Sequence, residues 1–265
     1  MNNSNKKPAG KWGDLAPRLG SAIVMAVVGI GAIWAGGLVF GALVALAAGL
    51  IGWEITRMIA PGRHNVAAGV GAAMGAGVLI AGVLPGTMAL LLLFFTVMLG
   101  AGAMGPEPDR IRFLIYGLYV VIAGYALTGI RDEAGLLAIL WIVSVVVATD
   151  VAGYFAGRII GGPKFWPAVS PKKTWSGTVA GWICAALVGL AFARHLPGQV
   201  VILSVVLSFA SQMGDAAESA LKRRTGIKDS SNLIPGHGGV FDRFDALLGA
   251  AFTLFIAHQL GLFGG

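Results

Sequence analysis

Long apolar runs, broken by short charged or glycine-rich segments, fill almost the whole of this chain. A helix needs roughly 18 or more apolar residues to cross a bilayer. Nine stretches meet that length: 19–36, 37–56, 66–83, 86–104, 111–130, 134–157, 176–194, 198–221 and 243–262. The first two are separated mainly by Gly36-Gly37, the softest of the breaks. The pattern predicts an all-α, polytopic integral membrane protein of about nine spans. A tail over 1–18 leads into a single multi-span domain over 19–265, in which 19–130 holds the N-terminal spans and 134–265 the C-terminal spans with the charged loops.

Composition agrees. Hydrophobic residues make up 57% of the 265 positions, which leaves too few polar side chains to cover a water-soluble surface. The basic N-terminus resembles the first region of a signal peptide. The apolar run behind it has no small-x-small cleavage site and passes into further spans, so it reads as a retained helix. The single cysteine, Cys184, lies inside an apolar run, where it acts as a small hydrophobe and has no intramolecular disulfide partner.

A net charge of +7 raises the question of nucleic acid, but the basic residues fall between apolar runs rather than along one polar surface, and no nucleic-acid partner is expected. They follow the positive-inside rule instead. With a cytoplasmic N-terminus, 17 of the 19 Lys and Arg residues lie on the cytoplasmic side, against only Arg131 and Arg194 opposite. Four Gly-x-x-x-Gly pairs, at 37/41, 71/75, 153/157 and 177/181, permit close helix packing in lipid. They allow a homodimer without requiring one.

Ionisable residues inside spans or at their ends are the informative ones, since each costs about 2.5–3.5 kcal/mol at mid-helix. They are Glu54, Asp150, Asp215, Glu218, Asp242 and Asp245. Asp215 and Glu218 share a helix face, with Ser211 and Ser219 one turn to either side of Asp215. Lys222 follows Glu218 by one turn and is placed to neutralise it. Asp242 and Asp245 repeat the three-residue spacing at the start of the last span, where Asp242 also suits a helix cap.

Between these acidic pairs runs LKRRTGIKDSSNLIPGHGGVFDRFD (221–245), in which eight of 25 residues are Lys, Arg or Asp. Its glycines let backbone N–H groups approach an oxyanion. His237 stays open between ligand, proton donor and satisfied loop residue, and a lone histidine argues against zinc. A second basic loop, SPKKTWSG (170–177), offers Lys172 and Lys173, with Thr174 or Ser176 to cap the next helix. Asp150 and Arg158 precede that loop on the same span. Carboxylate oxygens suit Mg²⁺, which binds through one or two carboxylates plus substrate phosphates, and Lys and Arg grip phosphate. The residues therefore point to a metal-and-phosphate site at the cytoplasmic membrane surface.

The stretch SALKRRTGIKDSSNLIPGHGGVFDRFD (219–245) resembles the signature of the phosphatidate cytidylyltransferases, or CDP-diacylglycerol synthases. It holds Ser219, Lys222-Arg223, Lys228-Asp229, Pro235, His237-Gly238-Gly239, Asp242-Arg243 and Asp245 at the family's spacing. SQMGD (211–215), Asp150 with Tyr154 and Gly157, and the SPKKT loop resemble it too. Ser176 departs from the Glu or Gln common at that place, so no carboxylate role is carried over there.

The resemblance covers 150–245 and implies the reaction of CTP with phosphatidic acid to give CDP-diacylglycerol and pyrophosphate. The nucleophile would be a phosphate oxygen, already largely ionised at neutral pH, so positioning and electrostatics carry the chemistry. The resemblance further implies that Asp215 and Asp242 hold Mg²⁺, with a second cation left open, and that Glu218, Asp245 and Asp150 are additional candidates. Lys222, Arg223, Lys228 and Arg243 would grip the triphosphate or the lipid phosphate, with Lys172 and Lys173 assisting. His237, Gly238, Gly239, Ser211 and Ser219 complete the candidate site. Two rival functions share part of this pattern: a CTP-dependent lipid-alcohol kinase, and a cation-coupled transporter, which would more typically place its carboxylates mid-span in paired halves.

Overall fold

Each apolar run becomes one helix. The computed structural model describes residues 15–105, 109–196 and 198–263, so the tail lysines Lys6, Lys7 and Lys11 lie outside the described residues. Among the described residues the helices are α1 (Leu15–Ala35), α2 (Gly37–Ile59), α3 (His64–Ala81), α4 (Gly86–Gly102), α5 (Asp109–Glu133), α6 (Gly135–Ile159), α7 (Trp175–Phe192), α8 (Val200–Thr225) and α9 (Phe241–Gln259). Their ends fall within a few residues of the predicted spans. Seven are long and apolar enough to cross a membrane; α4, at 17 residues, and α9, whose start carries Asp242, Arg243 and Asp245, stand outside that set. The chain is an all-helical integral membrane protein, with one small exception.

The exception lies between α6 and α7, where the sequence predicted only a loop. Lys164–Trp166 (β1) and Ser170–Thr174 (β2) form a two-stranded antiparallel hairpin. Thr174 ends it and caps α7, its side chain accepting from the N–H of Gly177 at 3.3 Å. Ser176, the other candidate cap, donates instead to the carbonyl of Gly161 at 2.5 Å. Phe165 stacks edge-on against Trp175, fastening the hairpin to the helix.

The softest break is real. Gly36 adopts φ +65° and Gly37 φ +47°, a left-handed conformation that side chains disfavour, so α1 and α2 cannot continue as one helix. Arg131, from the end of α5, donates to the carbonyls of Ile33 and Trp34 freed at that corner, at 2.8 and 3.2 Å.

Packing follows the small residues. Gly49 on α2 faces Gly71 and Gly75 on α3 so closely that an added Cβ would meet backbone. Gly153 on α6 faces Gly177 on α7 in the same way. Three of the four Gly-x-x-x-Gly pairs are therefore in use between helices of one chain. The fourth has little against it: Gly37 touches nothing and Gly41 only Thr128.

Helix α8 lies among α6, α7 and α9 and carries a stripe of buried polar residues: Ser204, Ser208, Ser211, Gln212 and Glu218. Its upper part is satisfied across to α6, where Trp141 Nε1 donates to Ser204 Oγ at 2.8 Å and Thr149 Oγ1 to Ser208 Oγ at 2.7 Å. Helix α1 is different. Most of its length is exposed apolar surface, the surface a bilayer would cover, and it is tied to the bundle chiefly near its ends.

Candidate active site

The polar stripe of α8 descends to a cluster at one end of the bundle. There the end of α2, the end of α6, the hairpin, the end of α8 and the start of α9 converge. Asp215 and Glu218 on α8 and Asp245 on α9 each bring one carboxylate oxygen within 4.8 Å of the others. The two acidic pairs read from spacing thus meet, through Asp245, although 26 residues lie between it and Glu218.

Two lysines flank the trio. Lys173, from β2, reaches Asp215 Oδ2 at 2.6 Å and donates to the carbonyl of Gln212 at 3.1 Å. Lys222 sits between Glu218 Oε2 and Asp242 Oδ1, 2.6 Å from each. Glu218 is buried, and its second oxygen, Oε1, has no hydrogen-bond partner among the described residues. Leaving a buried acceptor unmet costs about 1–3 kcal/mol, and more for a charged group. Carboxylates this close, with a free buried oxygen among them, suit a hard cation.

Asp242 stands apart from the trio. Besides Lys222, its carboxylate receives the Ser230 N–H at 2.8 Å, the Ser230 hydroxyl at 2.7 Å and the Gly239 N–H at 2.8 Å. It meets the trio at Glu218, with Lys222 held between the two carboxylates. The glycine-rich loop closes tightly, with Ile234 N–H donating to Gly238 O at 2.8 Å and His237 N–H to Ile234 O at 2.9 Å. The N–H of Gly239 is directed at the protein's own carboxylate.

Glu54 is the residue whose role the sequence left unread. It drew notice only as a costly charge inside a span, with no spacing to link it to a loop more than 170 positions away. In the structure it is fully buried, and its oxygens accept from Ser231 Oγ (2.6 Å), Phe241 N–H (2.7 Å), Val240 N–H (2.8 Å) and Ser230 Oγ (3.2 Å). Two of those donors are N–H groups at the start of α9, which no intrahelical partner can satisfy. A carboxylate there also meets the positive end of the helix dipole.

The remaining candidates divide. Ser219 Oγ reaches Asp215 Oδ1 at 3.4 Å. Ser211 is buried and donates within its own helix, to Ser208 O. Arg223 holds the hairpin through the carbonyl of Ala168, at 3.0 Å. Lys228 and Arg243 are exposed. His237 Nδ1 lies 2.8 Å from Ser21 Oγ, and Ser21 also donates to the carbonyl of Pro235 at 2.9 Å, so the loop fastens the start of α1.

Beside the trio opens a cavity of about 420 Å³ between α6, the hairpin, α7 and α8. Asp150, Tyr154, Arg158, Lys172 and Lys173 line it together with Gln212 and Asp215. Three cations and two carboxylates around one space can hold a polyanion and a cation together.

The profile of the Cytidylyltransferase family matches residues 16–260. Among similar proteins is a phosphatidate cytidylyltransferase of Brucella suis biovar 1 (strain 1330), 44% identical over 144 residues, covering 52% of this chain and 53% of that protein. Another, of Staphylococcus saprophyticus, is 41% identical over 135 residues, covering 49% of this chain and 52% of its own length. A third, of Bacillus subtilis (strain 168), is 37% identical over 148 residues, covering 53% and 55%. The chain spans about half the length of the curated relatives it matches.

Proposed function

The chain belongs to the cytidylyltransferase family, and from that premise we propose that it transfers the cytidylyl group of CTP to phosphatidic acid, releasing pyrophosphate and forming CDP-diacylglycerol for phospholipid synthesis. The observation that carries this reading is the trio Asp215, Glu218 and Asp245, flanked by Lys173 and Lys222, with Asp215 bordering a cavity that holds further cations. An acidic cluster alone would repel both substrates. Lysines interleaved with it accept them.

In the reaction a phosphate oxygen of the lipid attacks the α-phosphorus of CTP, a new P–O bond forms, and the bond to the β-phosphate oxygen breaks to release pyrophosphate. Lys173 and Lys222 lie where two polyanions must approach each other, and they offset the repulsion. Arg158 and Lys172, on the cavity wall, bind the outer phosphates. Asp215, Glu218 and Asp245 would hold Mg²⁺, and Glu218 Oε1 is the oxygen that lacks any other partner. When bound, a divalent cation neutralises phosphate charge as it shifts to the leaving group. Asp242 fixes Lys222 and the 230–239 loop, and Glu54 fixes the start of α9 beneath them.

The nine helices are read as nine spans with a cytoplasmic N-terminus. Support comes from the charge distribution and from the gathering of the starts of α1 and α9 and the ends of α2, α6 and α8 at a single end of the bundle. That end would face the cytoplasm of a bacterial-type inner membrane, where CTP arrives from water while the diacylglycerol part of the lipid stays in the bilayer. A homodimer is compatible with the free Gly37/Gly41 face.

The test is product analysis with purified, detergent-solubilised protein, CTP, phosphatidic acid and Mg²⁺, with and without EDTA. CDP-diacylglycerol and pyrophosphate formed only with free metal is the expected result. Phosphorylated lipid with CDP, or no product from folded protein, would overturn the proposal.

A further inference from the structure

Gln212 is one turn of α8 deeper than Asp215, about 4.5 Å along the axis, and lines the same cavity. It is 6% exposed, and its carboxamide oxygen is buried with no hydrogen-bond partner among the described residues. Most buried polar side chains are satisfied, so an orphaned acceptor on a residue that borders a cavity asks for a donor from outside the protein. The amide nitrogen is in use: Gln212 Nε2 donates to the carbonyl of Thr178 on α7 at 3.5 Å. The absence of a side chain at Gly181 leaves room for it, since a Cβ there would stand 3.1 Å from Nε2.

That contact orients the amide. A carbonyl accepts a hydrogen bond and cannot donate one, so Thr178 holds the –NH₂ end and Oε1 is the end left for a ligand. A carboxamide free to turn over could pair with either pyrimidine; one held this way offers only an acceptor. Cytosine carries a 4-amino donor, and uracil carries a carbonyl oxygen at the same place. An acceptor therefore attracts the first and repels the second.

We propose that Gln212 is the base-recognition residue of this site, its Oε1 accepting from the 4-amino group of cytosine and selecting CTP over UTP. This rests on the function proposed above and extends it. The base would lie against α7 and α8 at Gln212. The phosphates would extend one turn toward Asp215, where Lys173 bridges the two positions by binding both the Asp215 carboxylate and the main-chain carbonyl of Gln212.

The test is an internal competition. Wild type, Gln212→Ala and Gln212→Glu are each given phosphatidic acid, Mg²⁺ and an equimolar mixture of CTP and UTP, and the two nucleotide–lipid products are measured by mass spectrometry. Their ratio reports relative kcat/KM and does not depend on how much enzyme is folded. Gln212→Ala is expected to lose about ten- to a hundredfold of the preference for CTP, the range of one well-formed base contact. Gln212→Glu keeps an acceptor and is expected to keep the preference. A ratio in Gln212→Ala within about twofold of wild type would overturn the assignment while leaving the cytidylyltransferase reading intact. No cytidylyl product from folded wild type would overturn both. Where Gln212→Ala turns over too slowly, thermal stabilisation by CTP and by UTP replaces the ratio: CTP is expected to stabilise wild type more, and the two to become equal in the variant. A surviving difference would overturn the proposal.

Discussion

Replacing Glu54 with alanine removes one side chain that holds two ends of the site together. Four donors lose their acceptor, but not equally. The hydroxyl of Ser230 keeps Asp242 Oδ2 at 2.7 Å, and that of Ser231 can turn toward other partners. The N–H groups of Val240 and Phe241 are buried and bonded to Glu54, and each costs about 1–3 kcal/mol when unmet. The expected loss is about 2–6 kcal/mol, large against a total of roughly 5–15 kcal/mol. Glu54→Gln keeps one oxygen and should lose about half as much. The assay is the thermal unfolding midpoint in detergent micelles, paired with turnover well below that midpoint. The alanine variant should unfold on the order of 10 °C lower. Its residual turnover should fall about a hundredfold, because Ser230 and Gly239 hold Asp242, Asp242 holds Lys222, and Lys222 holds Glu218. Wild-type midpoint and wild-type turnover together would show that the start of α9 is secured by something else, and the reasoning would fail.

Asp215→Asn should abolish CDP-diacylglycerol formation while the protein elutes as a folded species; robust turnover would refute its place among the metal-holding residues. Lys222→Ala leaves Glu218 and Asp242 facing each other in a site where their side chains are 1% and 3% exposed, so a loss of about 3–5 kcal/mol is expected. An unchanged unfolding midpoint would show that the two carboxylates do not depend on that cation. Gly239→Ala would drive a methyl group into Ser230 Oγ and the Glu54 carboxylate, neither of which can withdraw without breaking its own bonds. Its turnover should fall as in Glu54→Ala, and normal turnover would mean that the loop can shift without harm.

Most of the fold was legible because a bilayer penalises every unpaired backbone group. A long apolar run therefore has little choice but to be a helix, and the ends of the predicted spans fall within a few residues of those observed. The hairpin at 164–174 was not legible. It is three and five residues long, half exposed, and set by Thr174 and Phe165 packing on α7 rather than by any alternation in sequence. The grouping of acidic and basic residues was legible as well. Asp215 and Glu218 sit three apart on one helix, and helical geometry alone puts them on one face. The same rule brought Lys222 beside Glu218, where it is found.

Which acidic residues meet across helices was another matter. Asp242 and Asp245 look equivalent in sequence, one on each side of Arg243. On α9 they stand only about 60° apart around the axis and about 4.5 Å apart along it, and that small offset, set by how the helix docks, leaves Asp245 at the trio while Asp242 faces Lys222 and the loop. Glu54 shows the same limit more sharply, since its partners lie more than 170 residues away and only the docking of α2 against the 230–241 segment brings them together. By itself the sequence determined the helices, the grouping of charge and the kind of chemistry, because hydrophobic length and helical periodicity are local. Tertiary structure alone decided which carboxylates meet, which amide nitrogen is held and which buried carboxylate carries the start of a helix, because those depend on how separate helices are turned against one another.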